Sequence, residues 1–160
     1  MGGLGSLDVA RIQPLTERDL EPALPLFAGY QRFYGVERPD DRRNEDFFRR
    51  FVAPSQDGLL LGAWEADRLV GFACLYWTFS SINAAPIVLL SDLFVAEDQR
   101  GRGTGRALIE ASVAAARERG VHHLEWLTAQ DNVAAQILYD RTEAERSAWF
   151  GYEIPIDPGA

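Results

Sequence analysis

Three glycines alternate with other residues between positions 100 and 106, directly after a dense apolar run and directly before a segment of helical pattern. Glycine lets the backbone approach an anion closely and expose successive N–H groups to it. The start of the following helix adds its dipole, and arginine side chains add charge-assisted hydrogen bonds. This pattern predicts a pyrophosphate-binding loop formed by Arg100, Gly101, Arg102, Gly103, Thr104, Gly105 and Arg106.

Two common phosphate-binding motifs do not fit this loop. A dinucleotide-binding fold has Gly-x-Gly-x-x-Gly, and here the third glycine, Gly105, comes one residue too early. A Walker A loop requires a lysine, but all 16 basic residues of the chain are arginines, which also excludes a lysine Schiff base. The loop therefore binds a different pyrophosphate compound, or it is a glycine-rich connection without a ligand.

The elements that must position the loop are those of an α/β protein. We expect residues 1–8 to be a disordered N-terminal segment and residues 9–156 to form a single domain. The apolar run over 87–95 predicts a buried central strand that leads into the loop. Further strands are predicted over 121–128 and, at the C-terminal end, over 148–156.

Composition excludes several classes of function. With 24 acidic residues the chain has a formal net charge of −8, which argues against a nucleic-acid binder and favours a cationic partner. One cysteine and two histidines make a zinc site improbable, so no metal is expected. No apolar run approaches the ~18 residues of a membrane span, and no targeting signal is recognised, which predicts a cytoplasmic protein without a membrane partner.

The loop and the sequence that follows it resemble the GCN5-related N-acetyltransferase (GNAT) family. Residues 100–105 match Arg/Gln-x-x-Gly-x-Gly, the acyl-CoA loop of that family, and residues 132–139 match its Asn-x-x-Ala-x-x-Leu-Tyr. Within the family, residues 92–95 and 149–154 look most similar to the diamine (spermidine/spermine-type) acetyltransferases. The resemblance implies a mixed, mostly antiparallel twisted sheet of six to seven strands flanked by about four helices.

The resemblance also implies roles for individual residues. Acetyl-CoA would be the acyl donor, with its pyrophosphate on the N–H groups of the loop and its pantetheine arm paired with the backbone of Phe94 and Val95. Asn132 would bind the cofactor or order the loop beside it, and Tyr139 would be the general acid that protonates the leaving sulfur. A phenol (pKa ~10) is a weaker acid than a thiol (~8.5), so complete proton transfer to the thiolate is uphill. Partial transfer, or a strong hydrogen bond to the developing negative charge on sulfur, would still lower the barrier.

An amine acceptor must lose a proton before it attacks, because an alkyl amine has a pKa near ~10.4. Asp92 in the central strand and Glu125 on the neighbouring one are candidate bases, directly or through water. The diamine enzymes have an acid where this chain has Ser91, which departs from their pattern. A purely structural role for either carboxylate stays open.

The acceptor is predicted to contact the first two helices and their connection. Tyr30, Tyr34 and Glu37 supply aromatic and acidic groups suited to an alkyl ammonium, and Glu125 is a further contact candidate. The same residues would also suit an ordinary amphipathic helix. The sequence therefore predicts an enzyme that acetylates a polyamine-like or lysine-like amine, with an aminoglycoside or other amine-antibiotic acetyltransferase, or a non-catalytic acyl-CoA-binding module, as alternatives. The oligomeric state does not follow from the residues, and the family resemblance implies a homodimer.

Overall fold

A five-stranded sheet in the order β1-β2-β3-β4-β5 organises the protein. The structure is a computed structural model that describes residues 9–157 and 159. The expected disordered segment, residues 1–8, lies outside the described residues. The strands are β1 (Arg11–Pro14), β2 (Gly58–Glu65), β3 (Arg68–Ser80), β4 (Ala85–Val95) and β5 (Leu124–Glu125). The first four pair antiparallel with their neighbours, and β5 joins β4 in parallel.

Within the part of the chain that the structure describes, four α-helices flank the sheet, as predicted. They are α1 (Leu20–Phe33), α2 (Asp41–Arg49), α3 (Thr104–Glu118) and α4 (Val133–Tyr139). Side-chain caps begin two of them: Asp40 Oδ1 accepts from the N–H of Arg43 at 3.0 Å before α2, and Asn132 Oδ1 accepts from the N–H of Ala135 at 3.3 Å before α4. None of the described helices has the length and apolar character needed to cross a bilayer.

Each face of the sheet carries its own apolar core. Under α1 and α2, the ring of Phe27 stacks on Phe48 at 3.8 Å between centroids and meets Phe72 edge-on at 5.0 Å. The other core lies under α3 and includes Leu75, Val88, Leu90, Leu108 and Ile109. Successive side chains of a strand point to opposite faces, so strands β3 and β4 each contribute side chains to both cores. This explains why their sequences are continuously apolar.

The strand β4 is irregular near its middle, at Ser91. A β-bulge leaves Ser91, between Leu90 and Asp92, without a partner in β3. Bulges bend a strand and increase its local twist. On its other side β4 pairs with β5 only at Val88 and Leu89. The C-terminal half of β4 therefore has a free edge.

Two expectations about the C-terminal part of the chain were wrong. The strand predicted over 121–128 is reduced to Leu124–Glu125, and the segment predicted as a last strand over 148–156 has no regular secondary structure. The sheet of the described residues thus has five strands rather than six or seven. Alternating apolar residues indicate a strand only where a neighbouring strand supplies hydrogen bonds and cover. Here the side chains stay in solvent, with Tyr152 95% exposed.

Replacing Phe27 by alanine is expected to lower the free energy of unfolding by about 3–5 kcal/mol, because its ring is fully buried between Phe48 and Phe72. Urea denaturation followed by circular dichroism measures this loss. The matched control is Phe79→Ala, since that ring is 82% exposed and its loss should change stability by no more than about 0.5 kcal/mol. Equal losses for both variants would contradict the aromatic core described above.

Candidate active site

The free edge of β4 exposes the peptide groups of alternate residues. The N–H of Ala96 donates to the Val70 carbonyl at 2.9 Å, so these two residues form a hydrogen-bonded pair of the β3–β4 ladder. Val95 and then Phe94 precede Ala96 in the chain and occupy the next two positions of that ladder. Antiparallel pairs alternate between those that exchange hydrogen bonds and those that do not. Val95 therefore directs its N–H and C=O away from β3 toward the free edge, whereas Phe94 directs them toward β3.

This alternation corrects one predicted residue of the backbone edge. The peptide groups of Val95 face the free edge, whereas those of Phe94 do not, because they belong to the β3 ladder. Leu93 is in phase with Val95 and has the second set of outward peptide groups. Sequence reasoning missed Leu93 because the phase of a ladder depends on its register with the neighbouring strand.

The glycine-rich loop turns directly into α3. Gly101 and Gly103 have φ values of +77° and +86°, a left-handed backbone that is costly for residues with a Cβ. Gly103 is the residue immediately before the helix, and Thr104, its first residue, is buried. The first N–H groups of a helix have no partner within it and lie at the positive end of its dipole. The predicted anion-binding loop therefore has the backbone that its sequence requires.

The three arginines of the loop, Arg100, Arg102 and Arg106, each contact a protein acceptor. Their acceptors are the Val95 carbonyl at 3.0 Å, Glu65 at 2.8 Å and Glu110 at 2.9 Å, respectively. The guanidinium of Arg100 also lies 5.5 Å from the ring centroid of Phe94. An anion at the loop would compete with these partners, so its binding depends first on the backbone donors.

Helix α4 carries Tyr139 as its last residue. The ring is half-buried and meets Trp126 edge-on at 5.4 Å between centroids. Burial, and secondarily the nearby hydroxyl of Tyr34, raise the pKa of Tyr139, so the phenol is protonated at neutral pH. Asn132 was predicted to bind the cofactor or order the adjacent loop. Its side chain caps the N-terminus of this helix, which positions the helix that carries Tyr139.

The start of α3 lies beside a side chain of α4. A Cβ built on Gly105 would lie 2.9 Å from the Cδ2 atom of Leu138, the residue next to Tyr139. Because that atom is the far end of a flexible leucine side chain, a larger residue at this position would require the leucine side chain to shift. The glycine loop and the end of α4 therefore lie close together.

Asp92 is a buried carboxyl group on the α1 face of β4. Its side chain is 8% exposed, and burial raises its pKa, while hydrogen bonds with Tyr30 and Ser91 act in the opposite direction. Burial and the adjacent carboxylate likewise raise the pKa of Tyr30. Burial also raises the pKa of neighbouring Tyr76, to about 12. A carboxylate desolvated in this way is a stronger base than one in water.

A shallow cleft with a volume of about 20 Å³ opens to solvent where β4 and β5 separate. Its lining residues are Tyr30, Tyr34, Leu90, Ser91, Leu93, Trp126, Leu127 and Tyr139. Three of the predicted site residues, Tyr30, Tyr34 and Tyr139, thus come together from opposite faces of the sheet. Asp92 does not line the cleft itself but lies close to two residues that do, Tyr30 and Ser91.

Two predicted acidic contacts do not reach this cleft. Glu37 lies exposed in the connection after α1. Glu125 is also exposed, and its Oε2 lies 3.2 Å from Nε2 of His123. The short β5 turns the carboxylate of Glu125 to solvent and away from the cleft lining, so Asp92 is the carboxyl group nearest the cleft of the two candidates.

Trp126 and Leu127 line the cleft although sequence reasoning did not select them. Both follow the last paired residue of β5, so they lie where the two strands have already separated. The available signal was the position of Trp126, which precedes the Asn132–Tyr139 motif and belongs to a strand expected beside β4. Ser91 was noticed as a departure from a pattern, but its position at a bulge follows only from the register.

Comparison with known proteins assigns the chain to a family. A model described as the acetyltransferase (GNAT) family matches residues 23–143. The chain belongs to this family. It is 31% identical over 132 residues to the uncharacterised N-acetyltransferase YhfO of Bacillus subtilis, with 82% of this chain and 87% of that protein covered. It is 30% identical over 132 residues to the D-amino-acid N-acetyltransferase HPA3 of Saccharomyces cerevisiae, with 81% of each covered.

Solved structures confirm the GNAT fold. The crystal structure of a probable acetyltransferase superposes with a TM-score of 0.80 at 27% identity, covering 93% of this chain and 99% of that one. The region matched by the family contains the glycine loop, Asn132 and Tyr139. The protein is thus an N-acetyltransferase of the GNAT type, a family that uses acetyl-CoA as its acyl donor.

Replacing Gly103 by alanine is expected to weaken CoA binding by about 5- to 30-fold, since a left-handed backbone costs an L-residue about 1–2 kcal/mol. The variant loop would relax to another conformation and misplace its N–H donors. Isothermal titration calorimetry with CoA measures the change.

The matched control is Gly120→Ala at the opposite end of α3. Gly120 has φ +75°, and both glycines have open space where a Cβ would be, so the backbone penalty is similar. We expect Gly120→Ala to lower thermal stability without changing the Kd for CoA. Equal Kd values for Gly103→Ala and the unaltered protein would contradict the assignment of the loop.

Proposed function

We propose that this N-acetyltransferase transfers the acetyl group of acetyl-CoA to a primary amine of a small cationic acceptor, polyamine-like or lysine-like, by direct attack. The observation that carries the proposal is the cleft between β4 and β5. It has the Tyr139 phenol on one wall and, behind Tyr30 and Ser91, the buried Asp92 carboxyl group on the other. An acid and a base beside one opening are what amine acylation requires.

The donor would extend along the free edge of β4. The outward peptide groups of Leu93 and Val95 suit the amide groups of a pantetheine arm, which would add to the sheet as a further strand. The N–H groups of residues 101–105 would hold the pyrophosphate. Arg100 would release the Val95 carbonyl, to which its Nε donates at 3.0 Å, when the arm pairs there.

The chemistry then requires that the amine be deprotonated and that the leaving sulfur be stabilised. Asp92, directly or through water, takes a proton from the ammonium group, and its raised pKa favours that step. The neutral nitrogen attacks the thioester carbonyl and a C–N bond forms. As the C–S bond breaks and CoA leaves as a thiolate, the nitrogen loses its remaining excess proton to solvent, and the thiolate takes up a proton from solvent. Tyr139 donates a hydrogen bond to the sulfur as negative charge develops there. Its raised pKa makes complete proton transfer unfavourable, so stabilisation by this hydrogen bond is the larger part of its contribution.

Charge and lining favour a cationic acceptor. The chain has a net charge of −8, and the aromatic rings of Tyr30, Tyr34 and Trp126 line the cleft beside the carboxyl group of Asp92. Such rings attract alkyl ammonium groups through their π faces. The relative from Saccharomyces cerevisiae is named for D-amino acids, which makes the α-amine of an amino acid the second candidate acceptor.

A panel of amines tests the proposal. Free-thiol release from acetyl-CoA is measured with polyamines, lysine peptides, D- and L-amino acids and aminoglycosides. Turnover confined to polyamines or lysine peptides supports the proposed acceptor. Turnover of D-amino acids or aminoglycosides alone replaces the acceptor and keeps the mechanism. Absence of turnover across the panel, with CoA bound, contradicts the proposed acceptor class and favours an acyl-CoA-binding module.

Replacing Tyr139 by phenylalanine should lower kcat at least about tenfold, because the hydrogen bond to the leaving sulfur is lost. The Kd for CoA should be unchanged, since the ring and its contact with Trp126 remain. Steady-state kinetics and calorimetry give the two values. Tyr152→Phe is the matched control, because that side chain is 95% exposed and lies outside the cleft. A kcat loss well below tenfold would remove Tyr139 as the acid.

The closeness of the Tyr30 hydroxyl to Asp92 predicts a shift in the pH profile. A base is active when deprotonated, so kcat/KM falls as pH decreases through its pKa. The Tyr30 hydroxyl lowers the pKa of Asp92, so Tyr30→Phe should raise that pKa and move the acidic limb to higher pH. Tyr34→Phe is the control, because Tyr34 lines the same cleft without a hydrogen bond to Asp92. An unmoved limb in Tyr30→Phe would contradict Asp92 as the base.

A further inference from the structure

The turn between β2 and β3 is connected by side chains to the glycine-rich loop. Arg102, in the middle of the loop, donates through Nη1 to Oε1 of Glu65 at 2.8 Å and to Oε1 of Gln99 at 3.0 Å. Directly before the loop, the carboxylate of Asp98 accepts from both terminal nitrogens of Arg68, at 2.8 and 3.2 Å, and from Nε2 of Gln99 at 3.3 Å. Glu65 ends β2 and Arg68 begins β3 as its register partner, so these five side chains close a ring on the turn. We call them the hairpin ring.

Gln99 is the buried member of the hairpin ring. The residue is 8% exposed, whereas the side chains of the two ion pairs are 38–58% exposed. Exposed ion pairs contribute little to stability on their own. A buried amide, in contrast, costs free energy when its donor or its acceptor is left without a partner. Arg102 and Asp98 supply the two partners of Gln99, which couples the two ion pairs to one another.

The loop needs a support of this kind because of its glycines. Gly101 and Gly103 lie on either side of Arg102, and both have a left-handed backbone. Glycine loses more conformational freedom on ordering than any other residue, so a free loop of this composition would lose that entropy when it binds an anion. With its side chain anchored on Glu65, Arg102 holds the middle of the loop in place before any ligand arrives.

We infer that the hairpin ring is a positioning device for the donor: Gln99 and its ring partners hold the glycine loop in its anion-binding conformation before CoA binds. In this role the Arg102 side chain acts on the loop and not on the diphosphate. The inference rests on the proposed place of the diphosphate at the loop. It goes beyond that proposal because it gives a role in donor binding to four residues that lie outside the loop: Glu65, Arg68, Asp98 and Gln99.

The acidic members of the ring, Glu65 and Asp98, separate positioning from simple charge. Hydrogen bonds from Arg68 and then from Gln99 lower the pKa of Asp98, so its carboxyl group is charged at neutral pH. CoA is an anion at its diphosphate, and a carboxylate near the loop repels it. Charge alone therefore predicts tighter CoA binding when either carboxylate is neutralised, whereas the loss of a positioning contact predicts weaker binding.

Isothermal titration calorimetry with CoA tests the sign of this change. Glu65→Gln and Asp98→Asn should each raise the Kd about 2- to 5-fold, and Gln99→Leu, which removes both hydrogen bonds of the buried amide, about 5- to 10-fold. Asp57→Asn is the matched control. It breaks an exposed ion pair of similar length, 2.9 Å to Arg50, at the opposite end of β2, and it should leave the Kd unchanged. Lower or unchanged Kd values in Glu65→Gln and Asp98→Asn would overturn the inference.

A double-mutant cycle then tests whether Arg68 and Asp98 act as a pair. Arg68→Gln should raise the Kd about 2- to 5-fold, and the double variant with Asp98→Asn should bind CoA no more weakly than either single variant, because all three lack the same contact. The KM for acetyl-CoA should rise with the Kd while kcat stays within about twofold of the unaltered value. Multiplied losses in the double variant, or a loss confined to kcat, would contradict the positioning role.

The Gly103→Ala variant distinguishes a failure of this inference from a failure of the proposed donor site. If Gly103→Ala leaves the Kd for CoA unchanged, the loop does not bind the diphosphate, and both proposals are overturned. If Gly103→Ala weakens CoA binding and the ring variants do not, the donor site stands and the hairpin ring has no role in it. Unchanged circular dichroism shows that the ring variants are folded.

Discussion

The separation of β4 from β5 is the constraint on which the rest of the site depends. Two paired residues hold the strands together at Val88 and Leu89, and beyond them each strand has its own course. A continuous sheet would satisfy these peptide groups and close the cleft. Because the pairing stops, a buried strand in the middle of the molecule has hydrogen-bonding groups and side chains accessible from outside.

The residues around the cleft come from both faces of the sheet. The aromatic core under α1 brings Tyr30 to Asp92, while the core under α3 supports α4 and Tyr139. Burial acts on both groups in the same direction, since it disfavours the charged form of a carboxyl and of a phenol alike. The carboxyl becomes a better proton acceptor, and the phenol becomes a more persistent donor. One physical effect therefore prepares two opposite roles.

The sequence predicts those features that depend on local chemistry. Gly101 and Gly103 require a left-handed backbone, and Asn132 begins a helix, so the loop and α4 lie where their residue types indicate. Features that depend on register were predicted less well. The register of β4 with β3 turns the peptide groups of Leu93, rather than those of Phe94, toward the free edge. Because β5 ends early, Glu125 does not line the cleft. The strand predicted over 148–156 has the right alternation, but pairing also needs a neighbour that the single sheet does not supply.

The closeness of Gly105 and Leu138 has a consequence for which donors the enzyme can use. It places the start of α3 beside the end of α4, so the glycine loop and Tyr139 belong to neighbouring parts of the structure. With the diphosphate on the loop and the sulfur at Tyr139, as proposed, the arm between them must span the distance from one to the other. A thioester with a shorter arm than pantetheine would reach one of the two and not the other.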